Sequence, residues 1–241
     1  MPNWPASDSA ANRMTAIQIE RKDDLVAEMD ANNPSCLSES ELVRYRSIST
    51  ANRKGQYLAG HFLVRKMAAR MFGNTPADWT YVEDESHQRR LTCSHQGFPI
   101  PYVSISHSGD WIAAAISLQP IGIDIETFGK DRDFSAIASH VFSNPEIEVL
   151  KACDASSLKQ SFYLYWTLKE SLAKQFGHGL KFEVSRMHSA EPASDIAQSD
   201  MQSWQCVDYV VSIACHANPD VEVIGVHADA RHRCWKNVSL V

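Results

Sequence analysis

The segment that most constrains the fold lies near the middle of the chain, where apolar and polar residues alternate from 121 to 126. It reads Ile-Gly-Ile-Asp-Ile-Glu. Successive side chains of a β-strand point to opposite faces, so the isoleucines would share one face and Gly122, Asp124 and Glu126 the other. The pattern predicts a strand with an apolar face for the core of the second half. The opposite face would carry two carboxylates beside open space at Gly122. The alternative is a half-exposed edge strand with a solvated acidic face.

Composition places the chain among globular proteins. Of its 241 residues, 44% are hydrophobic and 22% are charged. No apolar run approaches the roughly 18 residues that span a bilayer, and residues 1–14 lack the apolar segment of a signal peptide, so we expect a cytoplasmic protein without a membrane partner. Six cysteines without a CxxC pair indicate reduced thiols. The net charge of −6 argues against nucleic acid as a partner.

A local run of positive charge departs from this acidic balance. Between Leu42 and Ala77 there are seven basic residues and no Asp or Glu. Such a run is a candidate anion site, and phosphate is the commonest anion; the alternative is a solvated helix face. The basic residues are Arg44, Arg46, Arg53, Lys54, Arg65, Lys66 and Arg70.

A second group of functional side chains lies on a helix predicted over 157–176. Trp166, Glu170 and Lys174 are spaced by four residues and share a face. Alone, Glu170 and Lys174 could be an ordinary surface ion pair. Together with Asp124 and Glu126, however, they offer three carboxylates, which suit Mg²⁺ because that ion prefers oxygen ligands and usually binds phosphates as well. The combination predicts phosphoryl-group chemistry.

The remaining pattern predicts mixed helices and strands. Helices are expected from a Ser38–Glu41 capping box, over 54–72, over 134–141, and from Ser143 to about 152, and strands over 15–19, 79–82, 102–106 and 111–118. Residues 106–110 read as a turn, and 83–97 and 185–203 as loops. Strands over 209–215 and 221–227 are expected to be joined by a turn at 218–220. His61 is expected to be a packing or surface histidine.

Both halves of this pattern end in a helix followed by strand, turn and strand, which indicates an internal duplication. Pro120 would interrupt a continuous strand, so the boundary is placed there. The predicted domains are 1–119 and 120–241.

The motifs around these side chains resemble those of a known family. Gly122–Glu126 and Trp166–Lys174 look like the two signature motifs of the 4′-phosphopantetheinyl transferases, and Val103–Ser108 is similar to the strand and turn before the first motif. Size and layout resemble the larger, surfactin-synthetase (Sfp) type, and the resemblance covers about residues 40–182. Further matches are Gln56–Arg65, Phe142-Ser143 with Glu146, and Gly177–Leu180.

This resemblance implies an α+β fold of two similar α/β halves, a pseudo-dimer. Each half would pack an antiparallel sheet on a long helix, with the active site in the cleft between them. The enzyme would transfer the 4′-phosphopantetheine arm of coenzyme A to a serine of an apo acyl, peptidyl or aryl carrier domain and release 3′,5′-ADP. Such carriers serve fatty acid, polyketide and nonribosomal peptide biosynthesis. The expected state is a monomer.

The resemblance also implies roles for the carboxylates and the lysine. Asp124, Glu126 and Glu170 in the C-terminal half would hold Mg²⁺. Glu170 would deprotonate the carrier serine, directly or through water. Lys174 would neutralise the departing 3′,5′-ADP or protonate it, and would thus contact coenzyme A as well.

Coenzyme A phosphates would be bound by the N-terminal half. Ser106 and His107 would contact the 3′-phosphoadenosine part, with His107 on the 3′-phosphate. Arg53 and Lys54 would join that phosphate site.

The chain departs from the family pattern at one phosphate contact. Many members have a Gly-Lys/Arg-Pro triplet, whereas this chain has Gly97-Phe98-Pro99. The basic residue is either missing or supplied by Arg89, Arg90 or His95. Two other activities remain open from the sequence: another Mg²⁺-dependent phosphodiester enzyme, and a non-catalytic module that binds coenzyme A or a carrier protein.

Overall fold

The computed structural model describes residues 14–32, 37–84, 88–129, 132–177, 179–215 and 221–240. Within these ranges the chain forms seven α-helices and eleven β-strands arranged in two sheets. This confirms the predicted α+β class. None of the helices in the described ranges is long and apolar enough to cross a bilayer.

The N-terminal part contains three helices and five strands. In chain order they are β1 (Thr15–Arg21), α1 (Lys22–Asn32), α2 (Glu39–Ser47), α3 (Ala51–Phe72), β2 (Trp79–Glu83), β3 (Arg89–Cys93), β4 (Tyr102–Ser108) and β5 (Trp111–Ser117), with a 3₁₀ turn over Pro76–Asp78.

The C-terminal part contains four helices and six strands. In chain order they are β6 (Ile121–Thr127), α4 (Phe134–Val141), α5 (Asn144–Lys151), α6 (Ala155–Gln175), α7 (Phe182–Arg186), β7 (His188–Pro192), β8 (Met201–Gln205), β9 (Tyr209–Cys215), β10 (Val221–Ile224) and β11 (Arg231–Ser239), with a 3₁₀ turn over Ile196–Gln198.

The first sheet has the order β10-β1-β5-β4-β3-β2, and the second has the order β6-β9-β8-β11-β7. The strand pairs are antiparallel except that β10 runs parallel to β1. The division of the chain at residue 119 remains a prediction. Strand β10 lies across that division, because it follows residue 119 in sequence and yet belongs to the first sheet.

Helices α3 and α6 each pack on one sheet, and a third core lies between the sheets. Side chains of α3 contact the first sheet, and side chains of α6 contact the second. The three isoleucines of β6 pack with Ile17, Ile19, Ala113 and Ala115 of the first sheet. The expectation that they belong to the core of the second half is therefore corrected, because their face meets the other sheet.

The predicted capping box of α2 is confirmed. The backbone N–H of Ser38 donates to Glu41 Oε2 at 2.7 Å, and the N–H of Glu41 donates to Ser38 Oγ at 3.5 Å. Helix α3 begins three residues before its predicted start because Thr50 caps it, with its hydroxyl 3.3 Å from the N–H of Arg53.

Two predicted loops contain strands. Residues 83–97 include β3, which pairs with β2, and residues 185–203 include β7 and part of β8. The prediction was wrong because these strands bury few apolar side chains. Leu91 is the buried residue of β3, whereas the buried positions of β7 and β8 include Ser189, Gln202 and Ser203.

The strands predicted over 209–215 and 221–227 are present as β9 and β10, but the prediction that they form one strand–turn–strand unit is wrong. Strand β9 pairs in the second sheet and β10 pairs in the first, so they are not partners. The turn expected at 218–220 lies outside the described residues. At 106–110 the strand continues through Ser108, which leaves Gly109 and Asp110 as the turn, with Gly109 at φ +57°.

Gly122 brings β6 into contact with the backbone of α6. A Cβ atom built on Gly122 would lie 1.9 Å from the carbonyl oxygen of Ser171 and 2.6 Å from the backbone nitrogen of Gln175. The open space expected beside Gly122 is therefore filled by the helix. This contact places Asp124, two residues further on the same face, beside Lys174 of α6.

Replacing Gly122 with alanine is expected to force β6 and α6 apart, because the added methyl group meets backbone atoms that cannot rotate away. Overpacking of this kind costs about 1–3 kcal/mol or more. Urea denaturation of Gly122→Ala should show that loss of stability. The control is Gly129→Ala, where an added Cβ has nothing within 4 Å. Equal urea midpoints for the two variants would contradict the packing argument.

Candidate active site

Asp124 lies at the centre of the polar contacts between β6, β4 and α6. Its Oδ1 accepts hydrogen bonds from Ser106 Oγ and Lys174 Nζ, both at 2.7 Å. The residue is 6% exposed, and its Oδ2 is buried without a hydrogen-bond partner among the described residues. The alternative of a solvated edge is wrong at this position, because β4 and α6 cover the strand.

Glu126 and Glu170 extend this acidic group. Glu126 Oε2 accepts a hydrogen bond from Ser108 Oγ at 2.7 Å. Burial raises the pKa of Glu170, the charges on Asp124 and Glu126 raise it further, and only the Lys174 ammonium opposes them. The four predicted side chains are therefore close enough to act on one another.

These carboxylates do not form a compact metal-binding cluster as they stand. In the described part of the chain, no group of three His, Cys, Asp or Glu side chains has the arrangement of a metal site. Asp124 instead forms an ion pair with Lys174 at 2.7 Å. The Lys174 ammonium also donates to the carbonyl oxygen of Ile123 at 3.0 Å, so it partly neutralises the acidic group.

Arg53, near the N-terminus of α3, and His107, near the C-terminus of β4, face each other. Nη1 of Arg53 lies 3.2 Å from Nδ1 of His107 and 3.4 Å from the Gln56 side-chain oxygen. Burial, together with the charges on Arg53 and Lys174, lowers the pKa of His107 to about 4. Because nearby positive charge disfavours a protonated His107, an anion bound between the two residues would be favourable.

A cleft of about 900 Å³ opens beside these side chains. Arg53, Ser106, His107 and Lys174 line it, as the sequence predicts for residues that share a ligand. Lys54 is not among the lining residues, and its ammonium lies 5.5 Å from the centre of the Tyr45 ring. The full lining consists of Ser40, Glu41, Arg44, Ile48, Arg53, Gln56, Tyr57, His61, Tyr81, Val82, Glu83, Arg89, Ile105, Ser106, His107 and Lys174.

Of the three candidates for the missing basic residue, only Arg89 lines this cleft. Arg90 lies 4.1 Å above the Tyr102 ring and donates to the carbonyl oxygen of Ile100. His95 lies 3.4 Å from Asp78. Phe98 packs edge-on against Trp79 in the first core.

Arg89 and Arg44 line the cleft, although the sequence motifs assign neither of them a firm role. Arg89 begins β3, a strand that was predicted as loop, so its place on the cleft wall could not be predicted from the strand period. Arg44 is one of seven basic residues in the basic run, and the resemblance assigned only Arg53 and Lys54 among them to the phosphate site.

A buried ionic network supports the far wall of the cleft. Glu41 accepts from His61 Nδ1 at 2.5 Å and from Arg65 at 2.6 Å. Burial alone raises the pKa of Glu41, but the hydrogen bonds from His61 and Arg65 and the Arg65 charge lower it to about 2. His61 also stacks on Tyr57, with ring centres 4.1 Å apart. His61 is thus a buried packing residue that also lines the cleft.

Comparison with known proteins identifies the family. The 4′-phosphopantetheinyl transferase superfamily matches residues 120–214. The 4′-phosphopantetheinyl transferase Sfp of Bacillus subtilis (strain 168) is 36% identical over 173 residues, which cover 68% of this chain and 74% of that protein. The chain belongs to the 4′-phosphopantetheinyl transferase superfamily.

Two further relatives agree with this assignment. The 4′-phosphopantetheinyl transferase psf-1 of Bacillus pumilus is 29% identical over 72% of each chain. A 4′-phosphopantetheinyl transferase of Bacillus subtilis is 36% identical over 53% of this chain and 54% of its own length, so that match spans about half of the relative. Membership makes the chain a transferase and confirms the predicted activity, transfer of phosphopantetheine from coenzyme A to carrier proteins.

The Glu41 network gives a pH-dependent prediction. Since its pKa is lowered from 4.5 to about 2, Glu41 stabilises the fold fully above pH 4.5, and this contribution is lost as the pH falls towards 2. Glu41→Gln leaves the buried Arg65 charge unpaired, so we expect a loss of about 3 kcal/mol at neutral pH. Between pH 4.5 and 2 the variant should lose less stability than the wild type. Denaturation curves across this range measure both effects.

The control is Glu39→Gln on the same helix, where the carboxylate is 81% exposed. It should behave as the wild type at every pH. A Glu41→Gln variant with the pH dependence of the wild type would contradict the assignment.

Proposed function

We propose that this chain transfers the 4′-phosphopantetheine arm of coenzyme A to a serine hydroxyl of an apo carrier protein, with Mg²⁺ as cofactor, and releases 3′,5′-ADP. One observation carries the proposal. The contact of β6 with α6 at Gly122 brings Asp124 to Lys174, and Lys174 in turn lines a cleft that also contains Arg53 and His107. The Asp124 carboxylate thus contacts a cation that lines the cleft, although Asp124, Glu126 and Glu170 are not themselves among the lining residues.

Asp124, Glu126 and Glu170 are proposed to hold the Mg²⁺. All three offer the hard oxygen donors that this ion prefers. Oδ2 of Asp124, which is buried and has no hydrogen-bond partner among the described residues, supports this assignment, since a buried carboxylate oxygen without a donor is costly unless a cation binds it. When bound, Mg²⁺ stabilises the negative charge on the pyrophosphate oxygens of coenzyme A. Lys174 offsets part of the carboxylate charge.

Arg53 and His107 are proposed to bind the 3′-phosphate of coenzyme A. Their closeness, the absence of a carboxylate paired with either one among the described residues, and their place on the cleft wall support this role. Arg44 and Arg89 line the same cleft and would add positive charge. Phosphate roles for Ser106 and Lys54 remain predictions. The Ser106 hydroxyl donates to Asp124, and Lys54 lies over Tyr45.

Glu170 is proposed to take the proton of the carrier serine. A serine hydroxyl is a weak nucleophile and needs an adjacent base. Burial and two neighbouring carboxylates raise the pKa of Glu170, which makes it a stronger base than an exposed glutamate. Lys174 would supply positive charge or a proton to the departing 3′,5′-ADP.

Removing a proposed Mg²⁺ ligand or the proposed base should stop the transfer. Asp124→Asn and Glu170→Gln are each expected to lower the rate at least about 100-fold, since a positioned base or charge contributes that much. Mass spectrometry of a panel of apo carrier proteins, after incubation with coenzyme A and Mg²⁺, measures the added phosphopantetheine. The control is Glu148→Gln, an exposed carboxylate on α5. Wild-type rates in both variants would refute the proposal.

Arg53→Gln is expected to raise KM for coenzyme A about tenfold or more, because a charge-assisted hydrogen bond to phosphate contributes about 1.5–3 kcal/mol. The value of kcat should change less, since the 3′-phosphate is not the reacting group. Steady-state kinetics with a fixed apo carrier protein separate the two constants. Arg46→Gln is the control, because Arg46 belongs to the same basic run but is not among the lining residues. An unchanged KM in Arg53→Gln would remove Arg53 from the phosphate site.

A further inference from the structure

Three serines on one face of β4 connect the two sheets. We call Ser104, Ser106 and Ser108 the serine row. Strands β4 and β6 lie side by side but belong to different sheets, so they are not joined by strand pairing. The serine row bridges them instead, with one hydroxyl at every second residue.

Each member of the serine row contacts β6 differently. The Ser104 hydroxyl accepts from the backbone N–H of Ile123 at 3.0 Å. The Ser106 hydroxyl donates to Asp124 Oδ1 at 2.7 Å. The Ser108 hydroxyl donates to Glu126 Oε2 at 2.7 Å. Ser104 therefore hydrogen-bonds to the backbone of β6, whereas Ser106 and Ser108 hydrogen-bond to the carboxylates proposed to bind the cation.

The direction of the Ser108 hydroxyl is fixed from two sides. The backbone N–H of Thr127 donates to Ser108 Oγ at 3.0 Å, so one lone pair is occupied. The hydroxyl proton is donated to Glu126 Oε2 at 2.7 Å, and the Thr127 hydroxyl, 3.2 Å from Ser108 Oγ, can donate to the second lone pair. A hydroxyl carries a single proton, so Ser108 cannot turn away without breaking one of these bonds.

The same limit applies to Ser106. Its one proton is used on Asp124, so a phosphate oxygen at this position would meet lone pairs and not a donor. Asp124 gains a fixed orientation, because Ser106 and Lys174 both hold Oδ1. Its other oxygen, Oδ2, is buried and has no hydrogen-bond partner in the part of the chain that the structure describes.

We propose that Ser106 and Ser108 are positioning residues that fix the Asp124 and Glu126 carboxylates for a divalent cation, whereas Ser104 only joins the strands. This inference rests on the proposed function of the acidic group. Residues that hold the ligands of a metal in this way are usually needed for full affinity, at a cost of about 10–100-fold when they are removed.

The test measures cation binding without the transfer reaction. Mn²⁺ takes the same oxygen ligands as Mg²⁺, and its free ion is counted by electron paramagnetic resonance. Ser106→Ala and Ser108→Ala are each expected to raise the Mn²⁺ dissociation constant about 10–100-fold. Ser108→Thr, which keeps a hydroxyl, should restore much of the affinity.

Ser104→Ala is the matched control. It removes a bond between the same two strands from an equally buried position, 5% exposed against 7% for Ser106. It should lower the thermal midpoint in metal-free buffer as much as Ser106→Ala does, while Mn²⁺ affinity stays as in the wild type. Equal Mn²⁺ affinities in the three alanine variants would overturn the inference. So would a Ser106→Ala variant that loses coenzyme A affinity and keeps Mn²⁺ affinity.

Asp124→Asn separates the inference from the proposal on which it rests. If the wild type does not bind Mn²⁺, or Asp124→Asn binds it equally well, the metal site and the serine inference both fail. If Asp124→Asn abolishes binding and the serine variants bind as the wild type does, only the serine inference fails.

Discussion

The arrangement of the site depends on the backbone contact between β6 and α6 at Gly122. No other residue leaves room for the carbonyl oxygen of Ser171, since a Cβ would lie 1.9 Å from it. The contact sets how closely α6 packs on β6. Asp124, the next polar residue on that face of the strand, then contacts Lys174, which lies one helical turn after Glu170. The glycine is therefore as much a part of the site as the carboxylates.

The second constraint is the separation of the acidic group from the cations that line the cleft. The carboxylates come from β6 and α6, whereas Arg53 and His107 come from α3 and β4. Lys174 links the two groups, because it pairs with Asp124 and also lowers the pKa of His107. A ligand with a pyrophosphate and a separate phosphate matches this layout. The net charge of −6 gives no sign of it, because the separation is local.

Helices and strands with a regular repeat of apolar residues were predictable from the sequence, and short polar strands were not. The alternation at 121–126 and the helix over 157–176 define β6 and α6 within a few residues because each is repeated over many positions. Strands β3 and β7 bury few apolar residues, so propensity alone indicates loops. The place of β10 beside β1 depends on a pairing across most of the chain, which no local pattern encodes.

The sequence by itself determined which chemical groups are available: two carboxylates on one strand face, a third with a lysine on one helix face, and a basic run as a candidate phosphate site. These follow from the periods of strand and helix, which fix how side chains are grouped. Tertiary structure alone decided that Ser106 and Ser108 hold the carboxylates, that Arg89 and not Arg90 lines the cleft, and that the isoleucines of β6 fill a core between two sheets. Those outcomes depend on which helices and strands pack against each other, and the spacing of residues along the chain does not determine these contacts.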